Sequence, residues 1–236
     1  MKPLIIAHRG ASREAPENTM KAFRLASEHG ADGLELDVFL SADGSLVVTH
    51  DDNLRRLTGH NLETKKLTFA QLRELDFGQG EKIPLLSEVF EAFGEKFKVI
   101  NVEIKSTGFL TNGVEKKLVE LIRKFRLEEK IYVSSFNPLH IIRTKRLAPE
   151  LKTGYLISPA LKHWLARRMV FIRNSGASTI NLDYHWADET RLSGYQTLGK
   201  EIWVWTVDDP DEMKKWIARG VAAIITNYPE RLKKIL

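Results

Sequence analysis

Two carboxylates stand on one face of the short apolar stretch Gly33-Leu34-Glu35-Leu36-Asp37-Val38. The alternation predicts a β-strand in which Glu35 and Asp37 point to one side and the aliphatic residues point to the other. Burying two acids costs free energy unless a cation or hydrogen-bond donors compensate them. Oxygen ligands so arranged suit a hard divalent ion, Mg²⁺ or Ca²⁺, and an exposed edge strand with an acidic outer face is the alternative.

Polar side chains also follow two other predicted strands. His8 and Arg9 end the first apolar stretch of the chain, and Glu103 and Lys105 share one face of the stretch from Asn101 to Lys105. Polar residues on three successive strands are more than chance placement explains. We therefore expect the chemistry of this protein at these strand ends.

The second strand is predicted to turn back on itself rather than to enter a helix. Asp43-Gly44 separates two apolar stretches, which is typical of a hairpin with a two-residue loop. Folding the chain about this pair places Asp37 opposite His50. The hairpin is thus expected to return His50 to the two carboxylates.

Short apolar strands alternate with amphipathic helices from end to end of the chain. This rhythm predicts an α/β fold, a (β/α)₈ TIM barrel, in which chemistry belongs at the carboxyl ends of the strands. An open doubly wound sheet is the alternative, but no glycine-rich dinucleotide turn follows the first strand. The eight predicted strands are Leu4–Ala7, Gly33–Phe39, Lys98–Ile104, Ile131–Ser135, Thr153–Ile157, Ser178–Leu182, Ile202–Thr206 and Ala222–Thr226.

An irregular segment interrupts the rhythm at about residues 52–84 and contains one weak helix, Phe69–Leu75. We expect a small inserted subdomain over the mouth of the barrel, a common place for a specificity element. Its apolar residues can form a small core of their own. Elsewhere, Asn112 with Glu115 resembles a capping box at a helix start, and His140 is expected to be an ordinary satisfied or exposed histidine.

The composition is that of a globular protein. Of the 236 residues 43% are hydrophobic and 28% are charged, and there is no cysteine to form a disulfide or a thiolate site. No apolar run reaches the length needed to cross a bilayer. The apolar run at the start of the chain ends at His8-Arg9. This run is too short for a signal peptide, so we expect a cytoplasmic protein.

A net charge of +5 and a pI near 9.3 admit a nucleic-acid-binding protein as the non-enzyme alternative. The basic residues are scattered, however, and pairs such as Lys116-Lys117 lie beside acids on predicted helices. Such runs are usually solvated helix faces. We therefore expect no nucleic-acid partner.

Taken together, the motifs resemble those of the glycerophosphodiester phosphodiesterases, and the resemblance runs through essentially the whole chain in order. One departure is visible at the last strand, which ends Thr226-Asn227 where the family often has Thr-Asp. The motifs that carry the resemblance are His8-Arg9-Gly10, Glu17-Asn18-Thr19, Glu35-Leu36-Asp37-Val38, Asp43-Gly44, His50-Asp51, Glu103-Ile104-Lys105, Trp203-Val204-Trp205-Thr206 and Ile224-Ile225-Thr226.

The resemblance implies a single barrel domain over residues 1–236 that hydrolyses glycerophosphodiesters to sn-glycerol 3-phosphate and an alcohol. It also implies one divalent metal ion, Mg²⁺ or Ca²⁺, with Mn²⁺ suited to the same carboxylates. The small-molecule substrate is the only partner it implies, and it leaves the oligomeric state open. By resemblance, the metal ligands are Glu35, Asp37 and Glu103, the acid–base pair is His8 and His50, and the phosphate-binding residues are Arg9 and Lys105.

Three further residues carry weaker expectations. Glu17 and Asn18 would support the site, and Trp205 would either pack the barrel or form a wall for the substrate. A lysophospholipase D activity on the same scaffold is the alternative enzyme, since apolar residues of the inserted segment could form an acyl site. The preferred alcohol, and the choice between water and the glycerol hydroxyl as nucleophile, stay open at this point.

Overall fold

Eight parallel strands close into a barrel in this computed structural model, which describes residues 2–105, 111–159 and 169–236. The parallel order is β1-β2-β4-β5-β6-β7-β8-β9, and β9 pairs with β1 to close the sheet. The predicted (β/α)₈ barrel is thus confirmed. The strands are β1 (Leu4–His8), β2 (Gly33–Leu40), β3 (Leu46–Val48), β4 (Val99–Ile104), β5 (Ile131–Ser135), β6 (Lys152–Ile157), β7 (Thr179–Asp183), β8 (Glu201–Trp205) and β9 (Ala223–Thr226).

Helices surround the barrel, and several begin where a polar side chain caps the first turn. Thr19 accepts a hydrogen bond from the Ala22 amide, and Asn137 and Asp209 cap helices that open with proline. The helices are α1 (Met20–Glu28), α2 (Arg55–Thr58), α3 (Phe69–Glu74), α4 (Leu86–Phe93), α5 (Val114–Phe125), α6 (Pro138–Leu147), α7 (Met169–Asn174), α8 (Glu189–Gln196), α9 (Pro210–Ala218) and α10 (Pro229–Ile235). Within the described ranges, no helix has the length and apolar character needed to span a membrane.

Strand alternation separates the core from the site, as predicted for β2. Leu34, Leu36 and Val38 are buried in the layer between the sheet and the helices. Glu35 and Asp37 point the other way, into the barrel. A smaller apolar cluster with Ile6, Val99, Tyr132 and Trp203 among its members stands apart from the helix-facing layer.

The hairpin loop between β2 and β3 has three residues, so the prediction of a two-residue loop is wrong. Leu40 pairs with Leu46 and Val38 pairs with Val48, so Thr49, rather than His50, stands opposite Asp37. The loop has three residues because Gly44 adopts φ +76° and donates its amide to the Ser41 carbonyl. Such a left-handed glycine after a turn is the usual device of three-residue loops.

The segment 52–84 holds α2, α3 and a single 3₁₀ turn at Thr64–Lys66. Leu54 and Leu72 are fully buried in a cluster with Phe39 and Val47 of the hairpin. Leu57, Leu62, Leu67 and Phe69 pack against the same cluster. These apolar side chains are therefore occupied by packing within the segment and against the β2–β3 hairpin.

A buried hydrogen bond joins α5 to α6 and replaces the capping box expected at Glu115. The α5 cap is Gly113, and the Glu115 carboxylate turns inward to His140 Nδ1 at 2.7 Å. It also accepts a hydrogen bond from Thr111 and lies 3.4 Å from Arg143. Both Glu115 and His140 are buried, and His140 is hydrogen-bonded at Nδ1, whereas its Nε2 has no hydrogen-bond partner in the described part of the chain.

Glu115→Gln should lower the free energy of unfolding at about pH 7 by about 2 kcal/mol, the usual worth of hydrogen bonds to a charged group. Burial raises the pKa of Glu115, but hydrogen bonds from His140 and Thr111 outweigh it and lower the pKa from 4.5 to about 2. The stabilisation is thus present above pH 4.5 and lost as the pH falls towards 2. Urea unfolding of both proteins at about pH 7 and about pH 3 tests this, and an unchanged difference between them would contradict it.

Candidate active site

A cavity of about 110 Å³ opens at the carboxyl ends of the strands. Every metal, acid–base and phosphate residue predicted from the sequence either lines it or lies directly behind it. Asp37 is the one that lies behind. The lining residues are His8, Arg9, Glu35, His50, Asn101, Glu103, Lys105, Phe136, Leu156, Trp205 and Ile225.

Three carboxylates meet at this cavity because neighbouring strands hold them in register. Asp37 on β2 stands beside Glu103 on β4, and Glu35 stands beside His8 on β1. Ligand oxygens of Glu35, Asp37 and Glu103 all lie within 4.8 Å of one another, and all three residues are at most 8% exposed. The residues singled out from the sequence as an acidic cluster are therefore together.

The electrostatics of this cluster suit a divalent cation. Within the described part of the chain, Arg9 and Lys105 are the arginine and lysine paired with it, and Arg9 is shared with Glu17, so the three carboxylates carry more negative charge than these two cations offset. Burial and the neighbouring Asp37 raise the pKa of Glu35, and burial raises that of Glu103. Burial works against Asp37 as well, but Lys105 and Arg9 hold the pKa of Asp37 below its ordinary value.

The donor set also fits such an ion. Oδ1 of Asp37 is buried without a hydrogen-bond partner in the described part of the chain, and Lys105 Nζ is 3.5 Å away. Carboxylate oxygens are the preferred ligands of Mg²⁺ and Ca²⁺. Glu35, Asp37 and Glu103 thus have the chemistry and the placement to hold a hard divalent metal ion.

Arg9 and Lys105 contact different oxygens of Asp37, Arg9 at Oδ2 and Lys105 at Oδ1. Arg9 adopts φ +56°, and its amide donates to the Glu35 carbonyl, while its guanidinium reaches Glu17 at 2.9 Å and Asp37 at 3.2 Å. Lys105 Nζ lies 2.8 Å from Glu103. Both cations face the cavity and can bind an anionic group there.

Gly10 permits the tight turn that positions His8 and Arg9. It adopts φ +85°, and a Cβ at this position would lie 2.6 Å from the backbone of Ala22. Any other residue would push α1 away from β1. The His-Arg-Gly motif therefore has a steric reason as well as a chemical one.

His8 ends β1 with its ring half-buried in a polar environment. Nε2 lies 3.9 Å from Glu35 Oε2, and Nδ1 lies 2.7 Å from the Oδ1 atom of Asn227. Burial and the neighbouring Arg9 guanidinium lower the pKa of His8 to about 4. The ring is thus neutral at physiological pH.

His50 reaches the cavity from the hairpin, and a carboxylate holds its ring. Nδ1 lies 2.6 Å from Asp51 Oδ1. Asp51 in turn accepts from Arg56 Nε at 2.7 Å, and the Arg56 guanidinium also donates two hydrogen bonds to Glu17. Because Glu17 also accepts from Arg9, Arg56 of the inserted segment connects the two sides of the site.

Asn18 and Trp205 occupy supporting positions. Asn18 is buried and donates to Asp37 Oδ2 at 2.9 Å, which orients that carboxylate. Trp205 lines the cavity, makes an edge contact with Phe136 at 5.7 Å, and donates to the Asn181 carbonyl. Trp205 thus both packs the barrel and faces the cavity.

Several polar residues of the site were not predicted from the sequence. Asn227, Asp208 and Ser12 form a hydrogen-bonded chain behind His8, and Arg56 joins Asp51 to Glu17. Asn101 also lines the cavity, because it shares the inward face of β4 with Glu103. That alternation was the one signal that could have marked it.

Comparisons with known proteins agree with this geometry. The model of the glycerophosphoryl diester phosphodiesterase family matches residues 8–231. A glycerophosphodiester phosphodiesterase of Caldanaerobacter subterraneus subsp. tengcongensis is 41% identical, over 98% of this chain and 97% of that protein. A mouse lysophospholipase D is 30% identical, over 98% of this chain and 85% of that protein.

A solved structure repeats the fold. A phosphodiesterase of Oleispira antarctica, in complex with the product sn-glycerol 3-phosphate, superposes with a TM-score of 0.86 at 29% identity. The match covers 99% of this chain and 96% of that one. The family match spans nearly the whole barrel and includes every strand end that contributes to the cavity. The chain therefore belongs to the glycerophosphoryl diester phosphodiesterase family of enzymes.

Proposed function

We propose that this enzyme hydrolyses glycerophosphodiesters to sn-glycerol 3-phosphate and an alcohol, with one divalent metal ion and with His8 and His50 as the acid–base pair. The observation that carries the proposal is the meeting of three buried carboxylates, two histidines and two cations at one small cavity. The product bound to the Oleispira relative, sn-glycerol 3-phosphate, supports the same substrate class.

Glu35, Asp37 and Glu103 would hold the metal ion, Mg²⁺ or Ca²⁺, with Mn²⁺ suited to the same oxygens. When bound, such an ion supplies positive charge to a phosphate oxygen and to the attacking oxygen. Arg9 and Lys105 bind the remaining phosphate oxygens, the first through a forked set of donors and the second as a point charge. Together they hold the phosphorus beside the two histidines.

The two histidines divide the proton transfers by their surroundings. His8, kept neutral by burial, has the free base needed to take a proton from the attacking hydroxyl, either of water or of the adjacent glycerol carbon. The carboxylate of Asp51 holds Nδ1 of His50 and fixes its ring at the cavity, which positions His50 to protonate the departing alcohol oxygen. Each transfer contributes very roughly 10²–10⁴ in rate.

The inserted segment bears on the choice between a diester and a lysophospholipid. We propose that residues 1–236 form one barrel domain and that 52–84 is its inserted subdomain over the mouth. Leu54 and Leu72, two of the leucines proposed for an acyl site, are buried in the apolar cluster that the segment forms with the β2–β3 hairpin. This favours glycerophosphodiesters over the lysophospholipid substrate that the mouse relative's name implies.

Phosphodiester cleavage should be measured on glycerophosphocholine, glycerophosphoethanolamine, glycerophosphoglycerol, glycerophosphoinositol and lysophosphatidylcholine, with the metal present. We expect release of sn-glycerol 3-phosphate from the diesters and at least about 10-fold lower kcat/KM on the lysolipid. Release of choline from the lysolipid at an equal or higher kcat/KM would instead establish a lysophospholipase D. The predicted cytoplasmic location and the predicted lack of a nucleic-acid partner stay predictions.

A further inference from the structure

A chain of polar contacts lies behind His8, on the side of the ring that faces away from the carboxylates. Asn227 Oδ1 is 2.7 Å from His8 Nδ1, and the Ser12 hydroxyl donates to the same oxygen at 2.7 Å. On its other side, Asn227 Nδ2 donates to Asp208 Oδ2 at 2.6 Å. The amide of Asn227 therefore stands between a carboxylate and the imidazole.

Asp208 is fixed in place by contacts of its own. Its Oδ1 accepts from the main-chain N–H of Asn227 at 2.9 Å and from the Thr226 hydroxyl at 3.0 Å. Arg231 donates to its main-chain carbonyl at 2.6 Å. The carboxylate is thus held against the end of β9, with Oδ2 aimed at the Asn227 side chain.

This arrangement allows only one orientation of the Asn227 amide. A carboxylate only accepts hydrogen bonds, whereas an amide group has one end that donates and one that accepts. Turning the amide over would bring its oxygen within 2.6 Å of Asp208 Oδ2, with no proton between them. Nδ2 therefore faces Asp208, and Oδ1 faces His8.

The orientation of the amide in turn fixes the proton on His8. Since Asn227 Oδ1 is an acceptor, His8 Nδ1 must carry hydrogen and donate. A neutral imidazole has one N–H, so the lone pair resides on Nε2. Nε2 is the atom on the carboxylate side of the ring, 3.9 Å from Glu35.

We propose that Asp208 and Asn227 are positioning residues that hold neutral His8 as its Nδ1–H tautomer, so that the Nε2 lone pair faces the bound substrate. The inference rests on the proposed function in taking His8 as the base. The tautomer itself is a property of the protein without substrate and can be measured separately from turnover. Asn227 can fill this role because its side-chain amide, unlike a second carboxylate, donates a hydrogen bond to Asp208.

The tautomer can be read by ¹⁵N NMR of histidine-labelled, metal-free protein at about pH 8, where free imidazole is neutral. His8 is assigned by the signal that His8→Gln removes. We expect an Nδ1–H, Nε2-lone-pair pattern in the wild type. Asn227→Leu removes the acceptor and Asp208→Asn lets the amide turn over, so each should give Nε2–H or a mixture.

Turnover should follow the tautomer. We expect kcat to fall about 10- to 100-fold in Asn227→Leu, the usual range for residues that orient a reacting group, with KM within about 2-fold. Asp209→Asn is the matched control, because the neighbouring side chain caps α9 and asparagine caps equally well.

Nε2–H at His8 in the wild type would overturn the inference, and so would an unchanged tautomer in Asn227→Leu. Loss of kcat in that variant with the tautomer retained would also overturn it, since the effect would then be structural. The tautomer could change as expected in Asn227→Leu while His8→Ala keeps normal turnover. That result would support the positioning role of Asn227 and Asp208 and would exclude His8 as the base.

Discussion

Alanine at His8 should lower kcat by very roughly 10²–10⁴, and alanine at His50 should do the same, because each substitution removes one of the two proton transfers. Neither change should unfold the protein, since both rings lie at the mouth of the barrel rather than in its apolar layers. Steady-state kinetics on a glycerophosphodiester, with circular dichroism on the same samples, measure both effects.

The matched control for these variants is His29→Ala. His29 follows α1, contacts Glu14 at 3.1 Å, and is not among the residues that line the cavity. Its loss should leave kcat within about 2-fold of the wild type. Near-normal turnover in His8→Ala or in His50→Ala would remove that histidine from the acid–base pair.

The second large effect is expected on metal affinity. Glu103→Gln keeps the shape of the side chain but removes one of three charges from the cluster, so we expect affinity for Mg²⁺ or Ca²⁺ to fall about 100-fold or more. Metal at about 100 times the wild-type Kd should then stabilise the wild type by about 2.7 kcal/mol and the variant by only about 0.4 kcal/mol.

Urea unfolding with and without the metal measures this difference. Glu120→Gln serves as the control, since Glu120 is an exposed residue of α5 whose charge lies outside the cluster. Its metal-induced stabilisation should equal that of the wild type. If the metal stabilised the wild type and Glu103→Gln equally, Glu103 would not be a metal ligand and the assignment of three carboxylate ligands would be wrong.

The barrel and the acidic cluster were predictable because both depend on local patterns. Strand alternation put Glu35 and Asp37 on one face of β2, and the βα rhythm implied that strand ends from distant parts of the chain meet. The register error at His50 arose where the pattern was too short to fix the geometry. Asp43-Gly44 is compatible with loops of two or three residues, and both place Gly44 at positive φ. They differ at Asp43, which a two-residue type I′ loop would also place at positive φ and which is not left-handed here.

The hydrogen-bonded surroundings of the site were not predictable in the same way. Asn227 contacts His8 across 219 positions of sequence, and Arg56 contacts Glu17 across 39. No periodicity marks a single amide or guanidinium as the partner of a distant side chain. Glu115 illustrates the opposite risk, because a local capping pattern lost to a buried contact with His140 on the next helix.

The most direct test of the central claim is metal-restored release of sn-glycerol 3-phosphate. The protein is treated with EDTA, freed of chelator, and given glycerophosphocholine alone or with Mg²⁺, Ca²⁺ or Mn²⁺. We predict negligible release without metal and full turnover with at least one of the three ions. Equal release with and without added metal would contradict a mechanism built on Glu35, Asp37 and Glu103.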